Sequence, residues 1–277
     1  MNKAALRQKF ESIACLQDGD IKLEEAALVI AAETQPSFDI PEFIKHFDEL
    51  ADRFEHSYDT NTTLGISISS LIEFIHSEEG FGGNEKDFYD LDNSYLNRVL
   101  ETRTGIPITL ALVHIALGSR LNIPVSGINF PGHFLVKYGD KPNELIVDPF
   151  SGRVLSEPDC DTLLKQLAGP NAILKPQYLE IADNKDILIR VLDNLKKIFW
   201  QEKSWDRSKS CIERQMLLKP DQQEFLIQLG AVYEMQGNLP LAQLTYTNLL
   251  QDSDDANLKQ LASKRLLAMQ SSSATVH

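Results

Sequence analysis

The chain has 277 residues, 43% hydrophobic and 24% charged, with a formal net charge of −13. That is long enough for one large domain or two ordinary ones, with the composition of a soluble globular protein. The acidic balance, without any cluster of Lys and Arg, excludes a surface built for phosphate backbones, so no nucleic-acid partner is expected.

Residues 1–76 read as helices. LEEAALVIAAE (23–33) and IPEFIKHFDELADRFEHSY (40–58) repeat apolar residues at spacings of three and four, and Pro36 and Pro41 break the chain between them. A third helix, SISSLIEFIHSEE (67–79), follows Gly65, and the Gly-rich acidic stretch GFGGNEKDFYDLDN (80–93) reads as a loop. DLDNSYLNRVLE lacks the central glycine of a calcium-binding loop, so a solvated acidic face is expected instead. SYLNRVLETRTG (94–105) resumes a helical pattern and ends at Gly105.

The next helix, PITLALVHIALGSRL (107–121), has almost no polar face and must be surrounded by protein. Pro107 suits its first turn, where an amide N–H goes unused. VSGINF (125–130), FLVKY (134–138) and ELIVD (144–148) are β-rich, with GDKPNE as the turn between the last two. The middle of the chain is therefore α+β, with at least three antiparallel strands against a buried helix.

From residue 183 the pattern is helical again and repeats. A shift of 34 residues brings Leu195 onto Leu229, Phe199 onto Tyr233, Ser208 onto Ala242 and Ile212 onto Tyr246. LGAVYEMQGNLPLAQLTYTNLL (229–250) carries the Leu-Gly-x-x-Tyr and Ala-x-x-x-Tyr signature of a tetratricopeptide repeat. Such arrays are peptide-binding scaffolds, which makes Tyr233 and Tyr246 candidate contacts for a protein or peptide partner. The expected divisions are 1–182, 183–270 and a disordered tail, 271–277.

Cys15, Cys160 and Cys211 are widely spaced and supply neither a disulfide framework nor a zinc site. The first residues lack the apolar core of a secretory signal, and no apolar stretch reaches the ~20 residues of a membrane span. The expectation is a cytoplasmic protein with no metal, no cofactor and no membrane partner.

The blocks NSYLNRVLETRTGIPITLALVHIALGSRLNIPVSGINFPGHFLVKY (93–138) and IVDPFSG (146–152), with GFGGN before them, resemble the bacterial SirB/YchA-like family. Those proteins join a transglutaminase-like core to C-terminal tetratricopeptide repeats. The resemblance spans roughly residues 35–270. It implies a transglutaminase-like (papain-like) α+β core with N-terminal helices, followed by an all-α repeat region. In the wider superfamily the pattern is similar to Cys-x-x-Phe-Ala, then Leu-Gly-Ile-Pro, then strands bearing His and Asp. Leu121–Pro124 matches the middle element, with Asn122 in place of glycine. Leu110 and Ala111 match Phe-Ala, which sets the cysteine position at Pro107, and His133 and Asp148 match the remaining two.

The resemblance thus implies a triad reduced to a base, His133, and its orienting carboxylate, Asp148, with no thiol where a helix N-terminus would sustain a thiolate. Thr109, the nearest hydroxyl, lacks the amine that activates N-terminal threonines and reads as a packing residue. His114 reads as a core histidine, and His46, His56 and His76 as surface residues. Asn93, Asn97 and Arg103 either line one cavity with His133 or brace the helices; with Pro107 and Thr109 they complete the candidate binding set. The leading expectation is a non-catalytic interaction or regulatory factor. The alternative is a hydrolase or transferase on amide bonds that uses His133 and Asp148 with water or a non-cysteine nucleophile. A third reading is a pocket that binds a ligand without turnover.

Overall fold

The computed structural model describes residues 2–35, 38–59, 62–140 and 144–274. The chain divides into two compact units, Met1–Val191 and Leu192–His277.

In the first unit, helices α1 (Lys3–Ala14), α2 (Leu23–Thr34), α3 (Ile40–Ser57), α4 (Leu64–Glu73) and α5 (Leu96–Thr102) precede α6 (Pro107–Arg120); α2, α3 and α5 pack on α6, and α1 packs on α2. Every residue of α6 from Pro107 to His114 is buried, as an all-round apolar helix requires. α2, rich in Ala, packs against α3, α5 and α6, because its small side chains let neighbouring backbones come close. After α4 the chain makes one wider, π-type turn, Phe74–Glu78, which carries His76.

Two short strands, β1 (Gly82–Gly83) and β2 (Thr104–Gly105), pair in parallel just before α6. Strands β3 (Val125–Ile128), β4 (Leu135–Tyr138), β5 (Leu145–Asp148) and β6 (Arg153–Leu155) then form an antiparallel sheet in that order. β3 and β4 pack on α6. Gly118 makes this possible, since a Cβ there would sit 2.3 Å from Val125 Cγ2. The turn expected over Gly139–Glu144 includes Lys141, Pro142 and Asn143, which lie outside the described residues.

Helix α7 (Glu157–Ala168) follows, with Ser156 and Asp159 capping each other's backbone N–H groups. Helix α8 (Asn184–Gln201) contains the boundary between the units. Its first turn is tied to the start of the chain by Asp18, whose carboxylate accepts the N–H groups of Asn184 and Lys185 at 2.8 and 2.9 Å.

The second unit is all-helical. After the end of α8 come α9 (Trp205–Leu218), α10 (Glu224–Met235), α11 (Leu239–Asp252) and α12 (Ala256–Ala274), each packed on the one before it from α10 onward. Lys196 Nζ donates to Asp193, Gln215 and Gln228 at 2.6–2.8 Å and so links α8, α9 and α10. Gly230 lies directly against the buried ring of Tyr246. Residues 271–274, expected within a disordered tail, continue α12, and 275–277 lie outside the described residues.

Candidate functional site

His133 lies in the turn that precedes β4, rather than on the strand itself. Gly132 takes a positive φ of 74°, a conformation glycine adopts without a Cβ penalty, and His133 N–H donates to Phe130 O at 3.0 Å. Asp148 is the last residue of β5. The turn beyond it closes through Gly152 N–H onto Asp148 O at 2.8 Å.

The two side chains meet, with His133 Nε2 2.9 Å from Asp148 Oδ1. Asp148 also accepts from Phe150 N–H at 2.9 Å and from Ser151 Oγ at 2.7 Å. Burial alone pushes this carboxyl up, but the bonds from His133, Ser151 and Phe150 outweigh it and hold Asp148 below the usual carboxylate range. An ionised carboxylate only accepts, so His133 Nε2 carries the hydrogen of this bond, which assigns the acceptor position of the imidazole to Nδ1.

A second polar chain lies in the core of this unit. His76 Nδ1 is 2.8 Å from Phe81 O, His76 Nε2 is 3.1 Å from His114 Nε2, and His114 Nδ1 is 2.5 Å from the Tyr138 hydroxyl. A carbonyl can only accept, so His76 carries its hydrogen on Nδ1. His76 Nε2 must then accept from His114 Nε2–H, and His114 Nδ1 must accept from Tyr138 O–H. Every hydrogen of the chain has a partner only when both rings are neutral. Burial lowers the pKa of both histidines, well below the ordinary value for His114, and raises that of Tyr138. His76 is thus not the surface residue expected: it faces the core, and its ring lies under Gly152 in the turn after Asp148. His46 is also partly buried, against the Arg103 guanidinium, while His56 is exposed.

The other candidate residues hold the framework. Pro107 is buried in the first turn of α6. The Thr109 hydroxyl donates to Asn93 O at 2.7 Å and accepts from Ile106 N–H at 3.2 Å, which caps the helix. Asn93 donates to the carbonyls of Asp87 and Phe88, and Asn97 donates to Gln35 Oε1. Arg103 bonds Leu100 O and Glu79 and lies over the Phe81 ring. These bonds brace the helices around α6, while Asn97 Oδ1 is buried without a hydrogen-bond partner among the described residues. Tyr246, taken as a peptide contact, is fully buried and donates to Glu234 Oε1 at 2.6 Å, while Tyr233 is partly exposed. Sequence reading missed β1, whose Gly83 lies flat against the Phe150 ring and donates its N–H to Phe150 O at 2.9 Å.

The thiols stand elsewhere. Cys160 is buried among Ile128, Phe130, Leu135 and Leu164, and burial pushes its pKa up to about 11; Cys211, buried in the second unit, is pushed up to about 12. Neither is the low-pKa thiol that nucleophilic attack needs. Replacing Cys15, Cys160 and Cys211 together with alanine should leave any amide-bond turnover unchanged and insensitive to iodoacetamide. Inhibition traced to one cysteine beside His133 would contradict this.

A cleft of about 900 Å³ lies at the far end of α6, where Arg120 is already held by Glu24 and Asp48. Among the described residues no three His, Cys, Asp or Glu side chains are grouped to hold a metal, and no helix is long and apolar enough to cross a membrane.

Residues 41–193 match the model of the transglutaminase-like superfamily. The chain is 31% identical to a UPF0162 protein of Xylella fastidiosa over 87% of its own length and 88% of that protein's. It is 37% identical to a UPF0162 protein of Pseudomonas aeruginosa, covering 66% and 67% of the two chains. It is also 25% identical to human F-box only protein 21, over 60% of this chain and 28% of that one.

Proposed function

Starting from the fact that this chain belongs to the transglutaminase-like superfamily, we propose that it is a non-thiol member working in the cytoplasm as a protein-interaction or regulatory factor. The observation that carries this reading is the start of α6. Pro107 occupies the position the superfamily pattern gives to cysteine, and the neighbouring Thr109 hydroxyl is spent on the helix cap. We read α9–α12 as a tetratricopeptide-like array that receives a protein or peptide partner. Leu241 and Leu244, on α11, are 40% and 55% exposed and offer an apolar contact strip.

The test uses the full chain with Leu241→Asp and Leu244→Asp, positions exposed enough to leave the fold intact. Partner capture should fall at least about tenfold, the scale of losing one interface anchor, at an unchanged Tm, while His133→Ala captures as the parent does. A hydrolysis or transamidation rate that disappears in His133→Ala would overturn the reading in favour of an enzyme.

One observation favours that second reading. The His133–Asp148 pair is still fully assembled, with Nδ1 left as a base able to activate water for attack on an amide carbonyl. On it, Asp148→Asn would lower turnover with His133→Ala, and the α11 variants would not.

A further inference from the structure

The segment Glu85-Lys86-Asp87-Phe88-Tyr89-Asp90 is exposed throughout, with Phe88 and Tyr89 at 42% and 57%. Leaving aromatic surface in water forgoes about 25 cal/mol per Å² of burial, and the segment is nevertheless held in one shape. Asn93, 3% exposed, donates from Nδ2 to Asp87 O at 2.7 Å and Phe88 O at 3.3 Å. Its Oδ1 accepts from Asn84 Nδ2 at 3.2 Å, and Asn84 Oδ1 accepts from Asp87 N–H at 2.9 Å.

The rings form a row that ends at the site already described. Centroids are 5.4 Å apart from Tyr89 to Phe88, 6.0 Å from Phe88 to Phe150, and 6.5 Å from Phe150 to His133. The same segment carries the exposed Glu85, Asp87 and Asp90, none of them ion-paired with another described residue though Asp90 Oδ1 accepts Asp92 N–H at 3.0 Å, against the single charge of Lys86. Asp92, by contrast, is paired with Arg98 at 2.9 Å. A cleft of about 520 Å³ opens on the same loop, lined by Glu85, Lys86, Asp90, Asp92, Thr102 and Thr104.

This chemistry selects an occupant. Ring faces carry negative potential and attract cations, and unpaired carboxylates do the same. Phosphate groups, acidic peptides and a second copy of this chain, at a net charge of −13, are repelled. We propose that the 84–92 loop is a docking surface for a basic peptide segment, whose Lys or Arg side chain lies over Phe88 and Tyr89 between Glu85, Asp87 and Asp90. The surface belongs to the first unit and does not depend on α10–α12, so it goes beyond the interaction role assigned to the helical array.

The experiment measures fluorescence polarisation of a fluorescein-labelled peptide of alternating arginine and leucine titrated with the full chain. A second peptide with glutamate in place of arginine serves as comparison. The arginine peptide should bind at least tenfold more tightly than the glutamate one, and raising salt should weaken it as screening predicts. Glu85→Gln/Asp87→Asn/Asp90→Asn should lose about tenfold in affinity, and Phe88→Ser/Tyr89→Ser a similar amount, as expected for desolvated cation–π contacts. Glu42→Gln/Asp52→Asn/Glu55→Gln, which removes three exposed carboxylates from α3, should bind as the parent. So should Leu241→Asp/Leu244→Asp, and this separates the proposal from the role of the helical array. Equal binding of both peptides, unchanged binding by the loop variants, or an equal loss in the α3 variant would each overturn the proposal; the last would mean only diffuse attraction to an acidic protein.

Discussion

Acidifying the protein from pH 7 to pH 5 should lower its unfolding free energy, and His114→Leu combined with Tyr138→Phe should flatten most of that slope. Among the described residues, the polar and charged groups that fully buried His114 faces are His76 from the turn after α4, Tyr138 from β4 and, at longer range, Asp148 from β5. Burial puts its folded pKa well below the ordinary 6.5, so the unfolded chain takes up the proton first. Stability contributed by this neutral ring is complete above about pH 6.5 and is lost as pH falls below it, by up to about 1.4 kcal/mol per pH unit for each such histidine. His76, less buried, adds in the same direction, and so does His46, whose pKa burial also lowers.

Asp148 acts in another window. Its folded pKa is lowered, so its contribution is present above the unfolded carboxylate value near 4 and disappears only in stronger acid. Urea unfolding at pH 7, 6 and 5 therefore isolates the histidines. The double variant removes the ring and the hydroxyl that serves it. His114→Leu alone would strand the Tyr138 hydroxyl as well as His76 Nε2, at about 1–3 kcal/mol for each buried group left unpaired, and the double variant leaves only the latter. A pH slope unchanged in the double variant would show that the chain is not the source.

Gly118→Ala should destabilise the protein by about 2 kcal/mol, although alanine is the better helix former by about 1 kcal/mol. The added Cβ would fall 2.3 Å from Val125 Cγ2 and 2.8 Å from Ile123 O. That carbonyl cannot swing away freely, because Ile123 N–H is bonded to Gly118 O at 2.9 Å. Overpacking of this kind costs about 1–3 kcal/mol or more, which outweighs the propensity gain. For a unit of this size, Tm should fall by about 4–8 °C. Gly65→Ala, at an exposed position of α4 with nothing within 4 Å, provides the contrast and should gain about 0.5–1 kcal/mol. If Gly118→Ala raised Tm as Gly65→Ala does, the close contact between α6 and β3 would be wrong.

Period alone was enough to read α2, α3 and α6, since their apolar residues recur over many turns and tertiary packing had only to agree with them. The three middle strands were legible from β-branched runs and the turn residues around them. α7 was not, although Ser156, Asp159 and Pro158 together spell a helix start; its apolar positions are too few to mark a face. β1 and β2 are two residues long, and their glycines matter through the ring of Phe150 and the packing around Thr109, which no pattern reveals. His133 and Asp148 stand out as motifs. His76 and Tyr138, 38 and 24 residues from His114, meet that ring only in the folded chain. An amphipathic helix told nothing of His76 because its ring leaves the helix at a widened turn.

Asn93 has one further consequence. Its carbonyl receives the Thr109 hydroxyl that caps α6, while its side chain carries the carbonyls of Asp87 and Phe88. The exposed loop and the cap of the most buried helix in this unit are thus coupled through one residue. The bonded amides of this surface segment, those of Asn84, Asp87 and Asp90, should therefore exchange more slowly than those of an untethered loop.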